Sequence, residues 1–502
     1  MRSNEDTGEE FEPGLFVKGG QYMALRFLVA ISLAAAGCVR NPATGHQQLN
    51  LISESEEIKI GQQAAEEVTQ TIGLYDDPKL EAYVGELGKK LAAISDRPNV
   101  PFQFHVVDDT SVNAFALPGG PVFVTRGILA HMTSEAEVAT VMGHEIGHVA
   151  ARHSVNQLSK QELAQVGLGI GSVLSPAVGQ LAQASLSLLF LKYSREDENQ
   201  ADELGFRYAL QAGYDVRLMK DLFVTLERVS NSNKGGKLPE WLATHPNPEN
   251  RLQSTEQRLA KVNVDYSRLT VNRDSYLDRI NGIVYGEDPR QGFFKSNSFL
   301  HPQLKFRIDF PVDWKTQNQP HAVAGISPKQ DAIFELALAG DAPPEAAAQK
   351  FFSKGIEALD TKRVTISGFP AVESYFEAQT KQGTLAGTVA FVAYGGKTYA
   401  LLGYTVPEKL IAYDATFQRA ISTFSALTDP EALNVRPARV EIVTLGRAMT
   451  LAEFVARHPS SVPVDEIALI NSVDKNETIP AGTRLKRVVG GVQRQRAVSA
   501  SR

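Results

Sequence analysis

Cysteine is nearly absent from this chain, which has one cysteine, Cys38, among 502 residues. A single thiol excludes an intrachain disulfide. An excess of charge is lacking as well, because 51 Lys and Arg residues face 57 Asp and Glu residues for a net charge of −6. With that modest charge and no long basic run, nothing indicates binding to nucleic acid. Hydrophobic residues at 43% and charged residues at 22% indicate a globular chain, whose length predicts about two to four domains.

Long hydrophobic runs are lacking near the N-terminus. Residues 23–38 are MALRFLVAISLAAAGC, where one arginine, Arg26, precedes the apolar run. That run is too short to span a bilayer, but it has the length of the hydrophobic part of a signal peptide. Residues 23–37 are therefore predicted as a lipoprotein signal peptide. Residues 1–22 are acidic, unlike the start of a signal peptide, which makes them an extension and Met23 a candidate start.

Small residues stand just before Cys38, as in a bacterial lipobox. In a lipobox the cysteine is lipidated and becomes the new N-terminus, which predicts a membrane anchor at Cys38. Val39 follows the cysteine where aspartate would retain the protein at the inner membrane, so the outer membrane is favoured. Ala35 is smaller than the residue usual at that position, and an ordinary signal peptide is the alternative.

The periodicity of the chain then changes from one segment to the next. Helical patterns dominate first, a turn-rich break follows, and period-two alternation comes after it. The predicted segments are a polar tether (38–48), a helix-rich domain with a small sheet (49–262), a linker (263–298), an α+β domain of unknown function (299–428), a small βααβ domain (439–489) and a disordered tail (490–502).

Local signals place several elements inside these segments. Serine–glutamate pairs predict capping boxes at Ser53/Glu56 and at Ser134/Glu137. Residues 133–159 are predicted as one helix, and FQFHVV and PVFVTRGIL as strands. Gly395-Gly396 between two alternating runs predicts a β-hairpin.

The helix over 133–159 carries the motif HEIGH. Residues i and i+4 lie on one face of a helix, so His144 and His148 can both direct a ring nitrogen at one metal. Glu145 is close enough to reach a water at that metal without being a ligand. This HExxH arrangement is typical of zinc sites. Because two histidines can share a face by chance, a third ligand has to decide.

A separate helix offers that third ligand. One zinc-protease class would need glycine at 151 and histidine at 154, and Ala151 and Ser154 exclude it. In YSREDENQADELG, Glu198 and Asp202 are four residues apart and share a face. Glu198 can bind the metal, and Asp202 can accept a hydrogen bond from the far nitrogen of a ligand histidine. Taken alone, Glu198 would be interpreted as a solvated charge, but together with the two histidines it is better interpreted as a metal ligand.

These motifs in this order, NAFALPGGPVFVTRGIL, the HExxH helix, YSREDENQADELG and THPNPENR, resemble metallopeptidase family forty-eight. The family comprises gluzincin-type zinc endopeptidases, among them HtpX, the CAAX prenyl-protein proteases and periplasmic envelope proteases. The likeness covers about residues 49–262. It implies one zinc per chain held by His144, His148 and Glu198, with Glu145 as general base and Asp202 orienting a ligand.

Substrate binding is expected on the sheet upstream of the motif. The VFV strand could pair with an extended substrate backbone by β-augmentation. In similar proteases the edge strand near NAFALPGG, here Asn113, Ala114 and Phe115, serves that purpose. Gly119 and Gly120 would then make a turn.

Two further histidines, His245 and His153, stand near these motifs in the sequence. His245 stands in WLATHPNPENR, where similar proteases carry His-Pro. It could stabilise the oxyanion, or occupy the open zinc position and hold the enzyme off, or be an ordinary loop residue. Arg251 is a second candidate for the oxyanion. His153 is poorly spaced to join the ligands and is predicted as structural.

Two segments outside the motifs carry their own predictions. Residues 163–191 hold no charge and are predicted as a helical hairpin over the active site; contact with a membrane or unfolded substrate is an added possibility. Residues 439–489 resemble a LysM module, which implies binding to peptidoglycan. A docking module without affinity for sugar is the alternative.

The predicted fold class is α+β multidomain: a mainly α-helical zincin peptidase domain with a small sheet, an α+β domain and a LysM-like domain. The predicted function is a zinc-dependent metalloendopeptidase on the periplasmic side of the bacterial cell envelope. Its substrates would be misfolded or misassembled envelope proteins. The alternative is a non-catalytic lipoprotein that acts as a chaperone or binds peptidoglycan.

Overall fold

A computed structural model describes residues 38–167, 188, 191–232, 244–245, 248–319, 322–353, 355–380 and 383–491. Within them the protein is mixed α and β, with 14 α-helices and several sheets. It divides into two compact units: unit 1 runs to Arg279 without Thr71–Gly73, and unit 2 comprises those three residues and the chain from Ile280. The predicted signal peptide and most of the predicted helical hairpin and of the predicted tail lie outside the described residues.

Unit 1 is mainly helical. Its described helices are α1 (Glu54–Thr71), α2 (Pro78–Ala92), α3 (Arg126–His131), α4 (Glu135–Ala150), α5 (His153–Gly167), α6 (Arg195–Gln211), α7 (Leu218–Ser232), α8 (Pro248–Leu259) and α9 (Arg273–Ile280). Its strands are β1 (Cys38–Arg40), β2 (Gln47–Leu49), β3 (Gln103–Val107), β4 (Ala114–Ala116) and β5 (Pro121–Thr125). Strand β5 lies between β3, its parallel partner, and β4, its antiparallel partner.

The segment predicted as a tether is a structured hairpin. Strands β1 and β2 pair antiparallel. The buried Asn41 side chain donates a hydrogen bond of 2.7 Å to the carbonyl of Ala151, directly after α4. The Leu51 amide donates to Ser159 on α5 at 2.9 Å. The chain is therefore fixed to the end of α4 within a few residues of Cys38.

The helix predicted over 133–159 is broken in two. Arg152 has a φ of 55°, which ends α4 before α5 begins. This backbone is stabilised by the Arg152 guanidinium, which donates to the buried carboxylate of Glu57 at 2.8 Å and to the carbonyl of Ile52 at 2.9 Å. Sequence periodicity did not reveal this break, because the partners of Arg152 are distant in the chain.

The two predicted capping boxes differ. The Ser53/Glu56 box is confirmed, because each residue's side chain bonds the other's backbone amide. Ser134 does cap α4 by accepting from the Glu137 amide. The Glu137 carboxylate, however, accepts from the backbone and hydroxyl of Thr133. The second box is thus only half formed.

The strand predicted as PVFVTRGIL ends early. Thr125 closes β5 and its hydroxyl accepts from the Ile128 amide, which starts α3. Gly119 and Gly120 turn the chain from β4 into β5 with φ values of 72° and 122°, and a Cβ on Gly119 would stand 2.5 Å from the Ile58 Cα. The predicted turn is therefore confirmed, and it needs glycine.

Unit 2 is built on sheets. Its helices are α10 (Pro344–Phe352), α11 (Leu410–Ser422), α12 (Pro430–Leu433), α13 (Leu451–Arg457) and α14 (Val464–Asn471). Its strands are β6 (Phe293–Lys295), β7 (Ser298–His301), β8 (Phe306–Asp309), β9 (Lys315–Gln319), β10 (Ala322–Ile326), β11 (Ala332–Gly340), β12 (Ile356–Ile366), β13 (Phe369–Thr380), β14 (Gly383–Tyr394), β15 (Lys397–Thr405), β16 (Ser425–Ala426), β17 (Arg439–Thr444), β18 (Met449–Thr450), β19 (Thr478–Ile479) and β20 (Arg484–Val489).

A seven-stranded sheet in the order β12-β13-β14-β15-β11-β10-β9 and a four-stranded sheet, β16-β8-β7-β6, form most of unit 2. Gly395 and Gly396 join β14 to β15, with Tyr394 opposite Lys397, so the predicted hairpin is confirmed. Phenylalanines of both sheets share one core with Phe417 of α11.

The C-terminal part of unit 2 has the order β17, β18, α13, α14, β19, β20, in which β17 pairs with β20 and the two-residue strands β18 and β19 pair with each other. Residues 281–285 also bond to β17: the Gly282 amide donates to Val440 and the Tyr285 amide to Ala438. The segment predicted as a linker, 263–298, thus includes this pairing as well as α9, whose buried Tyr276 donates to the Leu129 carbonyl. None of the described helices is long and apolar enough to cross a bilayer.

Candidate metal centre

The site begins with a close contact between α4 and α6. Gly143 and Gly147 on α4 face Gly205 and Ala201 on α6, and a Cβ on Gly205 would stand 2.7 Å from the His144 amide nitrogen. Because no side chains separate the backbones there, residues on the facing surfaces of both helices converge. Nearly every residue of α4 is buried.

Four side chains bring one ligand atom each to the same point. They belong to His144, His148, Glu198 and His245, and these atoms lie within 4.8 Å of one another. The two Nε2 atoms of His144 and His148 are 3.0 Å apart, and Nδ1 of His245 lies 2.9 Å from Glu198 Oε1. Each of these four side chains is no more than 2% exposed.

The Nδ1 side of His144 faces a buried ion pair. Asp202 Oδ1 lies 2.9 Å from His144 Nδ1. Arg251 holds Asp202 with two bonds, of 2.8 Å from Nε and 2.6 Å from Nη2, and its Nη1 lies 3.1 Å from Glu198 Oε2. Arg251 therefore orients the carboxylates of both Asp202 and Glu198. Asp202 contacts the Nδ1 side of His144, so the Nε2 atom of that ring is directed at the cluster.

Burial and neighbouring charge shift the pKa values of these groups. Burial, and then the charge of Arg251, lower the pKa of His144 to about 4. Burial also lowers the pKa of His148 well below its usual value. Burial opposes ionisation of Glu198, but the charges of His245 and Arg251 outweigh it and lower its pKa. The site thus favours neutral rings at His144 and His148 and an ionised Glu198, which is the state that binds a metal.

Glu145 lies next to the cluster and faces one of its members, His245. Glu145 is 1% exposed, and its Oε1 lies 3.7 Å from His245 Nε2. Burial opposes protonation of His245, yet the charges of Glu198 and Glu145 outweigh it and raise the pKa of His245. His245 thus belongs to the site by position.

Sequence analysis missed two neighbours of His148. The ring of Tyr193 stacks on His148 with centroids 4.0 Å apart, and its hydroxyl lies 2.9 Å from Ser154 Oγ. His153, predicted as structural, lies with its Nδ1 2.9 Å from His148 Nδ1. Because α4 ends between them, the spacing of five residues carried no helical signal for this contact.

Two strands are candidates for substrate binding, and only the one that contains Ala114 and Phe115 lies at a sheet edge. Residues 122–124, the VFV run, are in β5, which has a partner on both sides and cannot pair with a substrate; that expectation was wrong. Ala114 and Phe115 belong to the edge strand β4. Asn113 precedes them, and its buried Oδ1 has no hydrogen-bond partner among the described residues.

Comparisons with known proteins agree on the region. The sequence profile of peptidase family M48 matches residues 78–259. The beta-barrel assembly-enhancing protease of Escherichia coli strain K12 is 28% identical over 229 residues, which are 43% of this chain and 46% of the relative. The protein of the same name from Yersinia pestis is 30% identical over 254 residues, 47% of this chain and 50% of that protein.

A eukaryotic relative is matched over more of its length. The mitochondrial metalloendopeptidase OMA1 of Schizosaccharomyces pombe is 30% identical over 227 residues, 44% of this chain and 67% of that protein. The chain thus spans about half the length of the bacterial relatives and two thirds of the yeast one.

Proposed function

We propose a function from one premise: the chain belongs to peptidase family M48. We infer that it is a zinc-dependent metalloendopeptidase with a zincin-type peptidase domain at residues 49–262. The observation that carries this proposal is the convergence of His144, His148 and Glu198 from two helices on one buried point.

The donor set and its charge suit zinc. Imidazole nitrogens with one carboxylate are typical ligands of catalytic zinc. The buried carboxylates of Glu145, Glu198 and Asp202 outnumber the buried cations, Arg251 and His245 when it is protonated, which leaves an excess of negative charge. A divalent cation would neutralise that charge, which is otherwise costly to bury. His144, His148 and Glu198 would hold the ion.

The residues around this point have separate roles in peptide hydrolysis. When bound, zinc supplies Lewis acidity. Glu145 accepts a proton from the attacking water and delivers it to the leaving amine. Asp202 accepts the Nδ1 proton of His144, which keeps Nε2 available. Burial of the site excludes bulk water and strengthens each of these interactions.

Substrate is proposed to add to β4 as a further strand. The edge position of β4 supports this, since an unpaired edge offers amide and carbonyl groups to an extended peptide. Asn113, Ala114 and Phe115 would make the contacts. The buried Oδ1 of Asn113 would gain a donor from the substrate, which it lacks among the described residues.

His245 is proposed to hold the enzyme off. Its Nδ1 lies 3.3 Å from His144 Nε2 and 2.9 Å from Glu198 Oε1, among the ligand atoms. Catalytic zinc needs an open position, so a fourth protein ligand blocks the reaction. His245→Ala should then speed cleavage of a peptide. Slower cleavage with zinc retained would favour oxyanion stabilisation by His245 instead.

The envelope is the proposed location. We retain lipidation of Cys38, a periplasmic and outer-membrane site, a LysM-like domain at 439–489 and quality control of misassembled envelope proteins as proposals. Two relatives bear the name beta-barrel assembly-enhancing protease, which is consistent with that setting. Two helices between the paired strands β17 and β20 support the LysM-like prediction, and peptidoglycan binding by this domain is the finer proposal.

Metal removal tests the core of the proposal. The purified chain should contain one zinc and cleave an unfolded polypeptide such as casein. A chelator should stop cleavage, and added zinc should restore it. His144→Ala and Glu198→Ala should each lose zinc and cleavage. If Glu198→Ala retained zinc at full affinity, the third ligand would be misassigned. Cleavage that survives complete zinc removal would refute the zinc mechanism, and no cleavage by the zinc-loaded chain would support the non-catalytic alternative.

A further inference from the structure

We propose that His153 is a positioning residue that fixes the tautomer of His148, through a hydrogen-bond relay that begins at Glu196 on the surface of α6. The inference rests on the proposed zinc site, since it concerns which nitrogen of a proposed ligand carries the proton. The relay runs from Glu196 through Gln200 and His153 to His148.

The relay begins with a group that only accepts. The Glu196 carboxylate lies 3.0 Å from Gln200 Nε2, so it takes a hydrogen bond from the amide NH2 of Gln200. That contact turns the carbonyl oxygen of Gln200 toward His153. Gln200 Oε1 lies 3.2 Å from His153 Nε2, and an amide oxygen can only accept there. Nε2 of His153 therefore carries the proton.

The remaining assignments follow from the chemistry of imidazole. A neutral imidazole with its proton on Nε2 has a lone pair on Nδ1. His153 Nδ1 lies 2.9 Å from His148 Nδ1, so it accepts a proton from His148 at that position. His148 then has its lone pair on Nε2, the atom that lies 3.0 Å from His144 Nε2 in the cluster. The relay thus presents the correct nitrogen to the metal.

The two proposed histidine ligands are therefore held by different means. A carboxylate, Asp202, accepts from His144, whereas a neutral imidazole accepts from His148. His153 and His148 are each 1% exposed, so water does not compete for these nitrogens. A buried donor without its acceptor is costly, and loss of such an outer partner commonly weakens metal binding by about 10–100-fold.

The first measurement is the zinc affinity of the Glu145→Gln variant, which should not cleave itself. In the Glu145→Gln background, competition with a chromophoric chelator gives the zinc dissociation constant. His153→Phe keeps a ring and removes the acceptor, and should weaken zinc binding by about 10–100-fold. His153→Asn places an amide oxygen where Nδ1 stands and should restore affinity to within about threefold, whereas a purely structural histidine would not be rescued in this way.

A buried histidine elsewhere in unit 1 is the matched control. His131 is 7% exposed, its Nδ1 lies 2.7 Å from the carbonyl of Gly127, and it is not one of the four residues of the cluster. His131→Phe should lower the melting temperature without changing zinc affinity. Gln200→Met removes the acceptor of His153 Nε2 and should give a smaller loss than His153→Phe; an unchanged affinity would overturn the part of the relay beyond His153.

A spectroscopic measurement tests the proton position directly. With ¹⁵N-labelled histidine and zinc, the Glu145→Gln protein should show a proton on His148 Nδ1 and a coupling across the hydrogen bond to His153 Nδ1. If His153→Phe binds zinc within threefold of the parent, or His153→Asn is as weak as His153→Phe, the inference is refuted. If His148→Ala also keeps zinc, the proposed zinc site fails first, which separates the two outcomes.

Discussion

The two units bury different kinds of side chain. In the described part of unit 2, the buried Asp, Glu, Lys and Arg side chains are Asp288, Glu373 and Lys486. In the described part of unit 1 they are Glu57, Arg97, Arg126, Glu137, Glu145, Asp197, Glu198, Asp202, Asp215 and Arg251. Buried charges are costly unless paired or bound to a metal. Glu145, Glu198, Asp202 and Arg251 lie in the candidate metal centre, whereas Glu57 with Arg97 forms an ion pair away from it. Buried charge in unit 1 thus serves both the site and its packing, and the described part of unit 2 has much less of it.

The packing contacts show the same contrast. Gly205 brings α6 against α4 so that polar groups of the two helices meet. In unit 2, Gly403 on β15 brings the sheet against the aromatic ring of Phe417 on α11, where a Cβ would stand 2.2 Å from the ring. A glycine thus allows a close approach in both units: Gly205 brings polar groups of two helices together in unit 1, and Gly403 allows apolar packing in unit 2. Paired substitutions in the two units can separate these purposes.

The largest difference should come from neutralising one buried carboxylate in each unit. Glu145→Gln should reduce peptidase activity by about 10³-fold or more while zinc content and melting temperature are kept, because the proposed general base is lost while the proposed zinc ligands remain. Glu373→Gln, at a buried carboxylate of unit 2, should leave activity unchanged. Activity of Glu145→Gln within tenfold of the parent would refute the hydrolytic role of Glu145.

Removing a buried cation should be the next largest effect. Arg251→Met leaves Asp202 and Glu198 without their guanidinium and should cost about 3–5 kcal/mol of unfolding free energy in the zinc-free protein. Zinc should recover part of that loss, because Glu198 is one of its proposed ligands. In unit 2, Arg363→Met removes an exposed pair with Glu345 and should leave the melting temperature unchanged. Equal effects from denaturant unfolding of the two variants would contradict the contrast between the units.

Local rules explain what the sequence could predict of this site. His144 with His148, and Glu198 with Asp202, follow from helical spacing of four residues, and the convergence of these groups was inferred from their chemistry. The hairpin at Gly395-Gly396 follows from turn preferences. Both kinds of signal lie within a few residues of chain.

Contacts between distant residues explain what the sequence could not predict. Arg152 breaks the long helix because Glu57 holds its guanidinium, and Asn41 turns the predicted tether into a docked hairpin through Ala151. The contact of His153 with His148 exists only because that break redirects the chain. Residues 281–285 form hydrogen bonds with β17, which follows much later in the sequence, so no local pattern could predict this pairing.

A pair of glycine substitutions should give a smaller but sharper comparison. Gly205→Ala and Gly403→Ala should each cost about 1–3 kcal/mol, since the added methyl group forces backbone or ring to move. Gly205→Ala should also weaken zinc binding, because it separates α6 from α4. Gly403→Ala should leave zinc affinity unchanged. Chelator competition and denaturant unfolding of the same samples provide both quantities, and a loss of zinc affinity in Gly403→Ala would contradict the division of labour.

The smallest effect concerns the pH dependence of unit 2. Burial lowers the pKa of His301 from 6.5 to about 4. The unfolded chain therefore binds a proton below pH 6.5 that the folded unit does not accept until about pH 4. Stability from this group is complete above pH 6.5 and falls as the pH decreases to 4, by at most about 1.4 kcal/mol per pH unit. The partial exposure of His301 makes the real slope smaller.

Fluorescence of Trp314 can isolate this effect, because its ring packs against Tyr413 and Phe417 in the core of unit 2. Trp241→Phe removes the other of the two tryptophans. In that background, His301→Phe should flatten the dependence of unit-2 unfolding on pH between 6.5 and 4. Zinc should not affect this slope. It should stabilise unit 1, by an amount that falls as the pH decreases, because protons compete with the metal for the proposed ligands His144 and His148. A slope at Trp314 that changed with zinc would mean that the site, and not His301, governs the acid stability of unit 2.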